Sequence, residues 1–232
     1  MKKIIKLIVF LIIIITLSVS IPFVVKGYKM YTVALNEVSI EEKKNEIQSK
    51  ESYTSLSELP QIYKDAVLAV EDHRYYKHGA IDIISIGRAI ITDIKAKEFV
   101  EGGSTITQQL AKNLYFTQKK EIERKIAEIF MAYEMERTLD KDTILELYLN
   151  SSYFGNGYYT VKQASRGYFK KEPKEMTSYE ATLLAGIPNA PSVYAPNKNL
   201  NLAKQRQKQV INKMVKYKYL TQEEANKILK ED

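Results

Sequence analysis

The chain has 232 residues, 45% of them apolar and 27% charged, with a formal charge of +7 and no cysteine. This usage is globular and excludes a disordered chain, while the missing cysteines exclude a disulfide framework and a Cys-based zinc site. The basic excess suits nucleic acid, an anionic membrane surface or a phosphorylated substrate equally, so charge alone selects no partner.

At the N-terminus, Lys2, Lys3 and Lys6 precede an uncharged run over residues 7–25 that Lys26 closes. At 1.5 Å per residue such a run nearly matches a hydrocarbon core of roughly 30 Å. Residues 1–26 therefore read as a cytoplasmic start and one transmembrane anchor, with positive residues holding the N-terminus inside. The alternative is a cleaved signal peptide, for which Ser18, Val19 and Ser20 make a poor cleavage site. Residues 27–56 are polar and mixed in charge, and read as a stalk with some helix or strand and no chemistry.

The globular part, residues 57–232, opens where Pro60 suits a helix first turn. Ile62, Ala66, Val67, Ala69 and Val70 form an apolar helical face that runs into Glu71 and Asp72. Residues 71–82 then hold three carboxylates and both histidines of the chain, His73 and His78. A carboxylate closing an apolar helix is partly desolvated and suited to take a proton from a hydroxyl. The competing explanation is a solvated loop at a helix C-terminus, where His and Arg are common. Residues 82–99 are isoleucine-rich and fit either a core helix or a segment resting in the membrane interface.

Further helices are predicted at about 105–116, 119–138, 141–150, 160–168, 178–187, 200–218 and 222–230. Gly102 and Gly103 precede a start at which Ser104 or Thr105 caps the helix and Gln108 completes a capping box with Thr105. Free N–H groups at such a start suit phosphate, with Lys112 adding a charge. A well-capped helix after a turn explains the same residues without a ligand. In the next helix Arg124 and Lys125 share a face with Glu128. This is either a plain surface ion pair or a carboxylate held by two cations that also grip phosphate. Residues 198–218 carry seven basic and no acidic side chains, fitting a solvated face or attraction to anionic lipid.

Together these blocks resemble the bacterial peptidoglycan glycosyltransferases (transglycosylases), over about residues 59–229. The blocks are 71–78, 102–113, 124–128, 144–150 and 180–194, in family order, with the Gly-Gly-Ser-Thr-Ile-Thr-Gln-Gln run at 102–109 the most specific. The family commonly has Phe at the place of Tyr75 and Gly at that of Ala80, where this chain's glycine comes one residue earlier. The resemblance implies a mainly α fold, with a lysozyme-like helical lobe and a smaller membrane-facing lobe after one transmembrane helix. It implies the monofunctional form, single-pass in the cytoplasmic membrane with its catalytic domain on the extracytoplasmic face.

The implied activity is polymerisation of lipid II by inverting transfer of the growing chain from undecaprenyl pyrophosphate to an acceptor 4-hydroxyl. Glu71 would be the catalytic base, and Glu128 would orient the cations. Asp72, Ser104, Gln108, Gln109, Lys112, Asn113, Arg124 and Lys125 would bind substrate. The expected cofactor is at most Mg2+ or Mn2+, with no organic group. Partners would be lipid II, the nascent glycan, membrane lipids and other cell-wall synthesis proteins, with no nucleic acid. Glu146 and Asn150 read as structural. A lytic glycan-cleaving enzyme and a catalytically weak membrane scaffold are the alternatives; neither needs the phosphate-gripping blocks.

Overall fold

A computed structural model describes residues 2–96, 102–116 and 121–231. Among these there is no strand: the chain is a series of helices joined by short turns. The first helix, α1 (Lys2–Glu37), continues unbroken through Pro22 and past Lys26 into the segment expected as a stalk. After a turn capped by Ser39 and Glu42, α2 (Ile40–Gln48) buries Ile40 and Ile47 in the main core. Part of the run at 7–25 has side chains outside the described residues. Among the described residues, no helix is long and apolar enough to cross a membrane.

α3 (Gln61–Glu71) is the centre of the body. Ala66 to Val70 are buried in succession, so the second half of the helix is enclosed on all sides. α4 (Ile83–Ala96) differs: only Ser85 and Ala89 are buried, and its isoleucines point outward. The core-helix explanation of this segment therefore fails. α5 (Ile106–Tyr115) packs on α6 (Ile122–Thr138) and α7 (Lys141–Leu149). α8 (Val161–Phe169) leads to α9 (Ser178–Gly186), which packs with α3 and α11 (Leu200–Lys216), and the short α10 (Pro191–Tyr194) lies between them in sequence. α12 (Gln222–Ile228) closes the chain with the Thr221–Glu224 capping box predicted from sequence.

Glu146 and Asn150 have the structural role expected of them. Glu146 accepts from the Leu56 N–H at 2.7 Å and from the Tyr53 hydroxyl, while Asn150 bonds both backbone groups of Thr54. The turn after α3 needs no left-handed glycine, because neither Gly79 nor Ala80 has positive φ. Ala80 is buried, and its carbonyl accepts from Thr105 Oγ1 at 2.8 Å.

Candidate active site

The C-terminal end of α3 opens into a cleft of about 310 Å³, walled by Arg88 of α4, Ser104, Gln109 and Lys112, the Pro188–Asn189 turn, and Arg206, Lys213 and Tyr217. A second chamber of about 510 Å³ shares Gln109, Lys112, Pro188 and Asn189, and adds Asn113, Tyr148, Tyr153 and Tyr159. Lys213 Nζ donates to the Val70 carbonyl at 3.3 Å, tying α11 to the helix end that presents Glu71.

Glu71 is partly exposed, and its Oε2 accepts from Gln109 Nε2 at 2.9 Å. The Gln109 amide oxygen in turn accepts from the Tyr148 hydroxyl at 3.3 Å. Tyr148 is fully enclosed, and burial holds its phenol well above the usual tyrosine range, so it stays a donor.

A second chain of contacts starts at Glu128, which is 1% exposed. Arg124 pairs with its Oε1, and Lys125 Nζ lies 3.0 Å from its Oε2. Lys125 Nζ also donates to Ser104 Oγ at 2.6 Å. A buried carboxylate with two cations is far from the surface ion pair that such spacing usually means. Burial pushes the Lys125 ammonium down to about 8, with repulsion from Arg124 and Lys112 adding to it. Lys112 is lowered chiefly by burial and then by Arg124, while Glu71 works the other way. It therefore lies within electrostatic reach of both groups and joins them.

Of the expected substrate contacts, Asp72, Ser104, Gln109 and Lys112 wall the first cleft, while Gln108, Asn113, Arg124 and Lys125 do not. Gln108 is 3% exposed and does not wall the cleft; its Oε1 accepts from the Thr105 N–H at 3.0 Å, closing the capping box. Asp72 borders the cleft but is buried, accepting from the Ile106 N–H at 3.2 Å and contacting His78 Nε2 at 2.8 Å. Burial opposes the His78 imidazolium, yet Asp72 raises its pKa overall. Asn113 walls the second chamber only.

Among the described residues, the one group of metal-ligand side chains close enough to share an ion is Asp72, His78 and Asp82. Its oxygens are already engaged: Asp82 accepts from Arg74 Nε at 2.9 Å and Ser85 Oγ at 2.6 Å. Burial favours the protonated Asp82, but Ser85 and Arg74 outweigh it and hold the group at about 2. This cluster caps α4 and braces α5; it does not fit a cation serving a leaving group.

His73, Arg88, Arg206, Lys213 and Tyr217 also face the cleft and were not singled out from sequence. The His73 ring stacks on Tyr217 at 3.7 Å, with Nε2 3.3 Å from Arg88 Nη1. Burial, then Arg88, lowers His73 to about 4, so it is neutral and accepts from the guanidinium. The signal available was the spacing 206, 213 and 217, which puts these residues on one face of a helix rich in cations.

Comparison with known proteins identifies the family. The family profile described as Transglycosylase matches residues 37–215. Penicillin-binding protein 1F of Bacillus subtilis (strain 168) is 46% identical over 171 residues, covering 74% of this chain and 24% of that protein. Penicillin-binding protein 1A of Neisseria lactamica is 39% identical over 185 residues, covering 80% and 23%. A crystal structure of Penicillin-binding protein 1A from Haemophilus influenzae aligns with a TM-score of 0.45 at 24% identity, over 77% of this chain and 17% of that one. The chain thus spans about a quarter of the length of these curated relatives. With the profile covering most of the sequence and both blocks of cleft residues inside it, the chain belongs to the transglycosylase family.

Proposed function

We propose that the chain polymerises lipid II, joining the 4-hydroxyl of an acceptor disaccharide to a growing glycan held on undecaprenyl pyrophosphate. The observation that carries this is a hydrogen-bonded carboxylate, Glu71–Gln109, in the same cleft as Lys112 and Ser104, with Ser104 bonded to Lys125 of the Arg124–Glu128–Lys125 cluster. Glu71 takes the acceptor hydroxyl proton as the new C1–O bond forms with inversion. The pyrophosphate leaves with the bonding electrons and needs neutralisation rather than a proton. Lys112, Arg124 and Lys125 set against Glu128 leave a surplus of two positive charges, which matches the two charges of a pyrophosphate diester. Ser104, bonded to Lys125, holds that ammonium toward the cleft. Mg2+ or Mn2+ would find few uncommitted carboxylate oxygens beside this cluster, so no step is routed through a cation.

A lytic enzyme on the same scaffold needs an acid beside a sugar but no anion grip. The pair of cations, Arg124 and Lys125, set on the buried Glu128 favours the polymerase over that alternative. We place the start of α1 across the cytoplasmic membrane, N-terminus inside, as its lysines and apolar run suggest. The helical body corresponds to the lysozyme-like lobe, and the outward isoleucines of α4 to a membrane-facing lobe. Lipid II and nascent glycan are the substrates on the extracytoplasmic face, with other cell-wall synthesis proteins as neighbours.

The test is polymerisation of labelled lipid II in detergent by the whole chain beside Glu71→Gln and Glu128→Gln. Glycan strands from the unaltered chain, with nearly complete loss in a folded Glu71→Gln, support the assignment. Trimming of preformed glycan instead of synthesis would sink it.

A further inference from the structure

α6 carries its cleft residues on one side and meets α1 on the other. Glu123, Ile126, Phe130 and Glu134 follow one another at helical spacing, and residues 26–31 of α1 cover that stripe. The closest approach is at Gly27. A Cβ there would stand 2.6 Å from Ile126 Cγ2 and 2.8 Å from the Glu123 carbonyl oxygen, so any side chain would force the two helices apart. Around it Tyr28 meets Phe130 edge-on at 5.2 Å and Tyr31 stacks on the same ring at 5.9 Å. Tyr31 lies within electrostatic reach of Glu134, and Lys26 Nζ lies 3.6 Å from Glu123 Oε1.

The start of α6 needs this support. Its N-cap, Glu121, makes no side-chain cap hydrogen bond, whereas α5, α7, α8, α9, α11 and α12 all start on a side chain that does. The first turn of α6 is where Arg124 and Lys125 sit. An uncapped first turn frays readily, and a charged pair gripping a leaving group loses its effect when misplaced by about 1 Å.

We infer that residues 26–31 of α1 are a positioning element of the active site, not a tether. Through the Gly27–Ile126 contact they set the rotation and height of the first two turns of α6, and so place Arg124 and Lys125 for the pyrophosphate. This rests on the polymerase reading of the cleft.

The experiment uses the full chain in detergent and compares Gly27→Leu, Gly27→Ala, the double variant Gly27→Ala with Ile126→Gly, and Val25→Leu as a control on the exposed side of α1. Lipid II turnover, inhibition by inorganic pyrophosphate and thermal unfolding are measured on each. The expected result is at least a tenfold loss of kcat and a fivefold weaker pyrophosphate inhibition in Gly27→Leu, with Val25→Leu unchanged. A smaller loss is expected in Gly27→Ala, with partial recovery when Ile126 is trimmed. Should Gly27→Leu fail to fold, Gly27→Ala and its recovery decide the matter. Full turnover in the Gly27 variants, or lost turnover with unchanged pyrophosphate inhibition, overturns the inference. An unaltered chain that makes no glycan sinks the polymerase reading instead, and direct binding of labelled inorganic pyrophosphate to each variant then tests the positioning.

Discussion

Gln109 donates to the Glu71 carboxylate over 2.9 Å while its own amide oxygen is held by the Tyr148 hydroxyl at 3.3 Å. The buried phenol is only a donor toward that oxygen, so the amide is oriented with its NH2 toward Glu71. Glu71, the proposed base, is thus positioned by α5 and α7 although it stands at the end of α3.

Replacing Gln109 with Met removes that donor without adding charge. We expect kcat to fall about tenfold, roughly 1.4 kcal/mol, with KM little changed. Gln109→Glu would set a like charge beside Glu71, and the acid limb of kcat/KM should then move to higher pH. Steady-state rates across pH check both, and an acid limb that stays in place in Gln109→Glu removes Glu71 as the titrating base.

Lys125 is the cation whose charge pH can withdraw near the working range, since burial and its cationic neighbours hold it at about 8. In the proposed reaction it is the protonated form that grips pyrophosphate, so kcat/KM should decline above about pH 8, while bound substrate keeps kcat level to higher pH. Lys125→Arg keeps its charge at every accessible pH and should lengthen the plateau. An unaltered alkaline limb in that variant would assign it to another group. The stability consequence has the opposite sign. A folded pKa below the unfolded value of 10.5 means the buried ammonium costs stability below pH 8, and the cost is relieved as pH rises from about 8 to 10.5.

Gln108 is a helix-capping residue by its geometry. Gln108→Ala should lower unfolding free energy by about 1 kcal/mol and leave the KM for lipid II within about twofold. Gln108→Glu, which keeps the accepting oxygen, should retain most of the stability. Urea unfolding beside the lipid II assay separates the two effects, and a large rise in KM without loss of stability would return Gln108 to the substrate contacts.

What could be read along the sequence was whatever is encoded within a few residues. The Thr105–Gln108 and Thr221–Glu224 boxes, the turn-spaced Arg124, Lys125 and Glu128, and the apolar run into Glu71 are local, and each is where its spacing put it. Contacts across the chain were not legible. Lys213 reaches Val70 over 143 positions, and Tyr217 stacks on His73 from a helix read as a plain basic face. Gln108 could not be assigned from sequence because the same motif can cap a helix or hold a ligand; here it is buried and caps α5. The outward side of α4 was ambiguous for a related reason. A one-sided stripe of isoleucines fits a helix packed on a core as well as one at an interface, until the structure buries Ser85 and Ala89 and leaves the stripe exposed.

That side of α4 makes the last prediction. Ile83, Ile84, Ile90, Ile91 and Ile94 are exposed by 74, 61, 54, 56 and 71%, and with Gly87 they form one stripe at helical spacing. Leaving five such side chains in water is unfavourable by about 1.5–3 kcal/mol each relative to full burial, and an apolar stripe of that kind marks a contact surface. On the proposed function a bilayer interface would cover it without any dedicated partner and would bring the cleft, which Arg88 of the same helix lines, to a lipid-borne substrate. Because the chain has no cysteine, Ile91→Cys carries a single nitroxide, with Asn226→Cys on α12 as an aqueous reference. In vesicles, the label at 91 should collide often with oxygen and rarely with a water-soluble nickel complex, and the label at 226 should do the reverse. If both labels behave as aqueous sites, α4 does not rest in the membrane, and the cleft must receive its lipid substrate by another face.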